Sequence, residues 1–424
     1  MRTRWAVIVS FFCLYALTAQ VAPAQDWPQW RGPGRDGISR EKDLLPSWPP
    51  EGPRLLWQVN DAGFGYGSVA VAGNRVYLVG NKGLDNEFVT ALDARDGRVL
   101  WTTRIGKVGN PNQRPSYPGA RSTPTVDGDL VYAFGSDGDL ACLEARTGKI
   151  RWQKNVRTEL GGKPGEWAYA ESPLVDGNRV IVTPGGEQAT LVAFNKKTGA
   201  VIWKSAVPGG DTAGYASAQV IEIGGIRQIV QYLSKGLVGV DAKTGQFLWR
   251  FDKTVDTRFG VSAATPIVAG DSIYTAAATG GGVARLRASG GTVTAEAVYV
   301  ERKIPNTIGG AVKVGDYLYG TTSAVLLCTE YATGKVLWED RSVGPASLCY
   351  ADGRLYVHGE NGEVALVEAT PEGYRERGRF TPPNPPERGQ SRAWSYPAIA
   401  GGRLYIRQLG TLWVFDLRAS RAAR

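Results

Sequence analysis

Histidine and cysteine, the side chains that most often shuttle protons, bind metal or form covalent bonds, are few in this chain and stand apart. His358 is the single histidine of 424 residues, which excludes a histidine-based metal site and a Ser-His-Asp triad. It follows Val357 beside a Gly-Glu-Asn-Gly turn and is expected to be solvated. The cysteines are Cys13, Cys142, Cys328 and Cys349, and no two are adjacent. Cys142 and Cys328 occupy places where related segments carry Ala91 and Ala193, so they read as small buried side chains. An oxidising compartment would allow a Cys328–Cys349 bridge, which the sequence alone does not place. Glu171 and Asn306 offer oxygens, but a calcium ion takes about six to eight of them. Neither residue lies in a dense carboxylate cluster. No catalytic residue and no metal ligand is therefore assigned.

A second set has the chemistry of recognition rather than reaction. It comprises Phe64-Gly-Tyr66, Tyr117 with Arg121, and Trp167, Tyr169 and Glu171. Tyr215, Arg258-Phe259 and Arg392-Ala-Trp394-Ser-Tyr396 complete it. Aromatic rings with arginine, carried on glycine-rich loops, are what binding surfaces tend to use. Two readings stand side by side. The set binds a peptide strand, a glycan or an anionic ligand, or it only plugs the end of a channel.

The elements that position these residues belong to a repeat. Ala91-Leu-Asp-Ala-Arg-Asp-Gly97-Arg-Val-Leu-Trp101 returns as Cys142–Trp152 with Gly148, Ala193–Trp203 with Gly199, Gly239–Trp249 with Gly245, and Cys328–Trp338 with Gly334. A small residue opens each copy, glycine stands seventh and tryptophan eleventh. Successive tryptophans lie 51, 51, 46 and 89 residues apart, the last being two periods with a degenerate copy between. A fixed period of this size marks a repeat architecture.

Alternation before the glycine predicts a strand, and Thr/Asp-Gly predicts a tight turn needing positive φ. The tryptophan then fills the gap between neighbouring units, and the small first residue leaves room for a ring of the next unit. About fifty residues hold four short strands, which is one propeller blade. A strand such as Thr125-Val-Asp-Gly-Asp-Leu-Val-Tyr132 precedes each copy, and eight such pairs are present. The fold class is thus all-β, an eight-bladed propeller. Blades five and seven have lost the tryptophan. Pro53-Arg-Leu-Leu-Trp57 resembles the fourth strand that the last blade lacks, so an N-terminal strand closes the ring. The recognition set enters the inner strands, at one mouth of the central channel.

The ends bound the setting. Arg2 and Arg4, the apolar run Ala6–Ala19 and Ala22-Pro23-Ala24 read as a cleaved export signal over 1–24. That run is too short for a membrane span of about 20 apolar residues. Residues 25–51 form an irregular arm packed on the outside, 52–418 the propeller, and 419–424 a basic tail. Net charge is +9, or +7 without Arg2 and Arg4, and it is scattered. Nucleic acid is therefore not an expected partner. The chain is expected to be a monomer in the periplasm or outside the cell, with a protein, peptide or glycan of the envelope as partner.

The A-x-D-x-x-T-G-x-x-x-W pattern resembles the tryptophan-docking motif of the pyrroloquinoline-quinone-like repeat family. That family includes the quinoprotein dehydrogenases and a non-catalytic barrel-assembly propeller. The resemblance covers about residues 52–418 and is specific for the fold, not for function. It implies two roles: a binding scaffold without cofactor, or a quinone- and calcium-dependent sugar or alcohol dehydrogenase. The dehydrogenases carry an adjacent cysteine pair over the quinone, and this sequence has none. The scaffold reading leads.

Overall fold

The computed structural model describes residues 25–113, 117–256, 262–307 and 309–419. The expected signal segment, Arg258, Phe259 and most of the tail lie outside them. Seven blades are consecutive antiparallel sheets, spanning 70–106, 125–155, 174–205, 219–251, 267–301, 311–340 and 346–380. The eighth takes its three inner strands from 398–416 and its outer strand from Leu55–Val59. That strand pairs antiparallel with Thr411–Asp416, Trp57 facing Val414.

The repeat motif works as a joint between blades. Its glycines all have positive φ, from 70° at Gly199 to 77° at Gly97. Trp57, Trp101, Trp152 and Trp203 each lean onto the glycine turn of the next blade and donate to a carbonyl there. Trp57 reaches Ala94 O at 3.1 Å, Trp101 Ala145 O at 3.1 Å, Trp152 Lys196 O at 3.0 Å, and Trp203 Ala242 O at 3.1 Å. Trp338 reaches Thr370 O at 2.8 Å. A large ring is buried and its one polar atom satisfied in a single step.

Two details differ from expectation. The small first residue makes room for the ring of its own blade: Ala91, Cys142, Ala193, Gly239 and Cys328 face Trp101, Trp152, Trp203, Trp249 and Trp338 across the strand pair. Blade five kept a ring in the joint, since Tyr299 lies over Gly334, where an added Cβ would meet it at 2.6 Å. Blade five lacks the turn that would receive Trp249, and that indole donates to Gln228 of its own blade at 2.5 Å. Cys142, Cys328 and Cys349 are buried free thiols, so the Cys328–Cys349 bridge is not formed.

The arm is the larger correction, because it runs through the channel rather than over the outside. Trp27 exchanges two backbone hydrogen bonds with Val71 of blade one, each 2.8 Å, and Pro28 O accepts from Val126 N of blade two at 2.8 Å. Arg35 donates to Ser172 O and Pro173 O before blade three, at 3.0 and 3.1 Å, and to Ala218 O before blade four at 3.1 Å. Trp30 donates to Thr265 Oγ1 of blade five at 2.9 Å, and Arg31 to Ala311 O of blade six. Ile38–Ser39 adds a fifth, parallel strand inside blade seven. The Glu41 carboxylate accepts from Gly401 N and Gly402 N of blade eight. One segment of the arm therefore ties all eight inner strands together. Arg31 and Arg35 adopt positive φ of 60° and 53°, a conformation that non-glycine residues keep only when their surroundings enforce it.

Candidate functional site

At the mouth where the chain enters its inner strands lies a bowl of about 290 Å³. It is lined by Trp30, Tyr66, Tyr117, Arg121, Trp167, Tyr215, Trp394 and Tyr396, with Ala170 and Ala263 between them. The rings brace one another. Tyr66 and Trp394 have centroids 5.2 Å apart, Tyr117 and Trp394 5.0 Å, Trp167 and Tyr215 5.7 Å, and Trp30 and Tyr396 4.5 Å. Edge-to-face and tilted pairs at these spacings are favourable beyond the area they bury. The Arg121 guanidinium lies over the Tyr66 ring, 5.1 Å from its centroid. Its Nη2 is held by Gln113 Oε1 at 2.7 Å and by Tyr117 O, while its Nε is buried without a partner. Burial lowers the Arg121 pKa to about 10, still well above neutral pH.

Seven of the residues expected at the mouth meet in this bowl: Tyr66, Tyr117, Arg121, Trp167, Tyr215, Trp394 and Tyr396. Tyr169 does not. It is buried against Phe134 and donates to Pro184 O at 2.8 Å. Glu171 is buried as well, accepting from Thr183 Oγ1 at 2.8 Å, Gln231 Nε2 at 2.9 Å and Thr183 N. Arg392 is exposed and off the lining. Asn306 lines a separate cleft of about 570 Å³ with Arg302 and Lys303. Trp30 was not expected here, because the arm has no periodicity that would assign it to the channel. His358 is not solvated: its Nδ1 lies 2.9 Å from Ser395 O, Gln408 Nε2 lies 3.4 Å from its Nε2, and burial lowers its pKa to about 4.

Two buried carboxyls behind the mouth give a pH signature. Glu87 accepts from Ser136 N and Ser136 Oγ, both at 2.9 Å, and burial raises its pKa to about 8. Burial likewise raises Glu171 to about 7. The folded chain thus holds protons that the unfolded chain gives up near its ordinary value of 4.5. Stability from these groups is full below that value and is lost as pH rises through 8. His358 has the opposite sign, but only between about 4 and 6.5. The denaturation midpoint is expected to fall from pH 6.5 to 8.5, and Glu87→Gln to flatten that slope. An equal slope in wild type and variant would refute the assignment.

The residues present do not fit a calcium–quinone centre. The Glu171 carboxylate is already occupied by three donors. Among the described residues no group of three or more His, Cys, Asp or Glu could hold a metal ion.

A closed ring of eight four-stranded blades, joined by indoles on glycine turns, defines a propeller of the pyrroloquinoline-quinone-like repeat class. The family model described as "Outer membrane protein assembly factor BamB" matches residues 38–166 and 85–340, and the chain belongs to that family. The BamB of Yersinia pestis is 26% identical over 240 residues, covering 53% of this chain and 55% of that protein. The chain therefore matches little more than half the length of this curated relative. The crystal structure of BamB from Moraxella catarrhalis shares the fold with a TM-score of 0.63 at 15% identity, over 86% of this chain and all of that one. A quinohemoprotein alcohol dehydrogenase from Pseudomonas putida HK5 does so with a TM-score of 0.54 at 12% identity, over 93% and 81%. No helix among the described residues is long and apolar enough to cross a membrane.

Proposed function

We propose that this propeller is a non-catalytic binding scaffold of the cell envelope and that the aromatic bowl is where it takes its ligand or partner. The observation that carries this reading is the bowl itself: rigid rings around one arginine, on strands that the arm locks from within. Preorganised aromatic and arginine side chains give affinity without an ordering cost on binding. The envelope setting rests on the expected export signal and on relatives named for outer membrane protein assembly.

The test is a double variant, Trp167→Ala with Trp394→Ala, used as bait beside wild type in envelope extract. Loss of about 2–4 kcal/mol of affinity for whatever the wild type retains is expected for two anchor residues. Retention of the same partners with unchanged affinity would refute the bowl as the binding surface. Adding pyrroloquinoline quinone and calcium and finding dye reduction with sugars or alcohols would overturn the non-catalytic reading.

A further inference from the structure

Three arginines in and behind the bowl make no ion-pair contact with a carboxylate among the described residues, Glu87 acting on Arg121 only from further off. Arg121 lines the bowl, and among the described residues it has no acidic group within ion-pair distance. Arg31, buried, places its guanidinium 5.5 Å from the centroid of the Tyr396 ring that lines the bowl. It donates to two backbone carbonyls, Asp36 O and Ala311 O, and lies beside the Tyr396 hydroxyl, while its Nε has no hydrogen-bond partner. Arg407, also buried, donates to Gly63 O and Gly67 O, each at 2.9 Å, on either side of Tyr66. The nearby acids offset little of this charge, because burial keeps Glu87 largely protonated at neutral pH and Glu171 partly so. A low-dielectric wall with net positive charge makes an incoming anion favourable and an incoming cation costly. That disfavours a quaternary ammonium, which an aromatic cage without arginine would suit.

We propose that the bowl takes a carboxylate attached to a flat apolar body, the carboxylate beside Arg121 and the body against Trp394, Tyr66 and Trp167. This rests on the reading of the bowl as a binding surface and adds the class of ligand. A volume of about 290 Å³ stands at the small end of ligand pockets, which run from about 300 Å³ upward. One or two fused rings suit it better than an extended chain. The carboxylate belongs either to a free small acid or to the C-terminus of a polypeptide ending in an aromatic residue.

Calorimetric titration of the full chain with 2-naphthoate, its neutral isostere 2-naphthamide, and acetate separates the contributions. Naphthoate is expected to bind about 10- to 100-fold tighter than naphthamide, as a charge-assisted hydrogen bond implies. Acetate, lacking the flat body, is expected to give no measurable heat. Arg121→Met should collapse the naphthoate preference while near-ultraviolet dichroism stays native, and Arg121→Lys should restore part of it. Equal affinity for naphthoate and naphthamide in wild type would overturn the anion assignment and leave the bowl as an apolar binding surface. No binding of either would overturn both. Acetyl-Ala-Ala-Phe binding tighter as free acid than as amide assigns a polypeptide C-terminus as the source; naphthoate binding without the tripeptide assigns a free small acid.

Discussion

Arg35→Ala is expected to cost about 3–5 kcal/mol of folding stability, the range for removing one partner from a buried, fully engaged polar cluster. The side chain is 3% exposed and donates to Ser172 O, Pro173 O and Ala218 O, so its loss takes a donor from three buried carbonyls at once, of which Pro173 O keeps the Thr125 hydroxyl at 2.6 Å. Those carbonyls lead into blades three and four, while the Arg35 carbonyl accepts from Gln219 Nε2 at 2.9 Å and stays in place. The variant therefore unhooks the side chain without deleting the arm. In a chain of this size the loss reads as about 4–6 °C in melting temperature. Arg35→Lys keeps a charge but not the planar fork that reaches three acceptors, and should fall between. Lys253→Ala, whose side chain is 67% exposed and pairs with the similarly open Asp252, is the control that should leave the melt unchanged. A melt of Arg35→Ala that matches wild type would mean the arm rests in the channel without holding it.

Blade number was readable in the sequence because five copies keep glycine and tryptophan at one spacing, and each of those glycines proves to receive an aromatic ring from the blade before it. The degenerate blades were harder for a physical reason. Tyr299 fills the joint onto Gly334 from within a ten-residue outer strand whose register shifts beside Val283. A search for tryptophan at a fixed place cannot find it. The arm was not readable at all. Its hydrogen bonds run to backbone groups 280 and even 361 residues away, and a backbone group leaves no mark on residue identity. What the sequence did carry was two arginines in a glycine- and proline-rich segment, Arg31 and Arg35, and their roles appear only once eight inner strands surround them. Tyr169 and Glu171 were placed at the mouth by position alone. They share their segment with Trp167, and regular alternation along an extended chain would keep all three on one face; Ala168, at φ +65°, breaks that regularity, and Tyr169 and Glu171 pack inward instead.

The joint between blades makes the sharpest test of how the ring is held. Gly148 has φ +73°, and a Cβ there would lie 2.5 Å from Trp101 Cε3 and 2.6 Å from Cδ2. Gly128 has φ +58° and nothing within 4 Å of an added Cβ. Substituting alanine at either position imposes the same left-handed backbone on a residue that resists it, about 1–2 kcal/mol. Only at Gly148 must the indole also leave its seat, which weakens its hydrogen bond to Ala145 O and opens the contact between blades one and two. Overpacking of this kind costs about 1–3 kcal/mol more. Gly148→Ala is therefore expected to lose about 2–5 kcal/mol and Gly128→Ala about 1–2 kcal/mol. Trp101→Ala combined with Gly148→Ala separates the two terms, since without the ring the added methyl has room and the cost of Gly148→Ala falls back to that of Gly128→Ala. Equal losses at Gly148 and Gly128 would mean that the glycine serves the turn alone. The indole would then be a passenger rather than the wedge that sets one blade against the next.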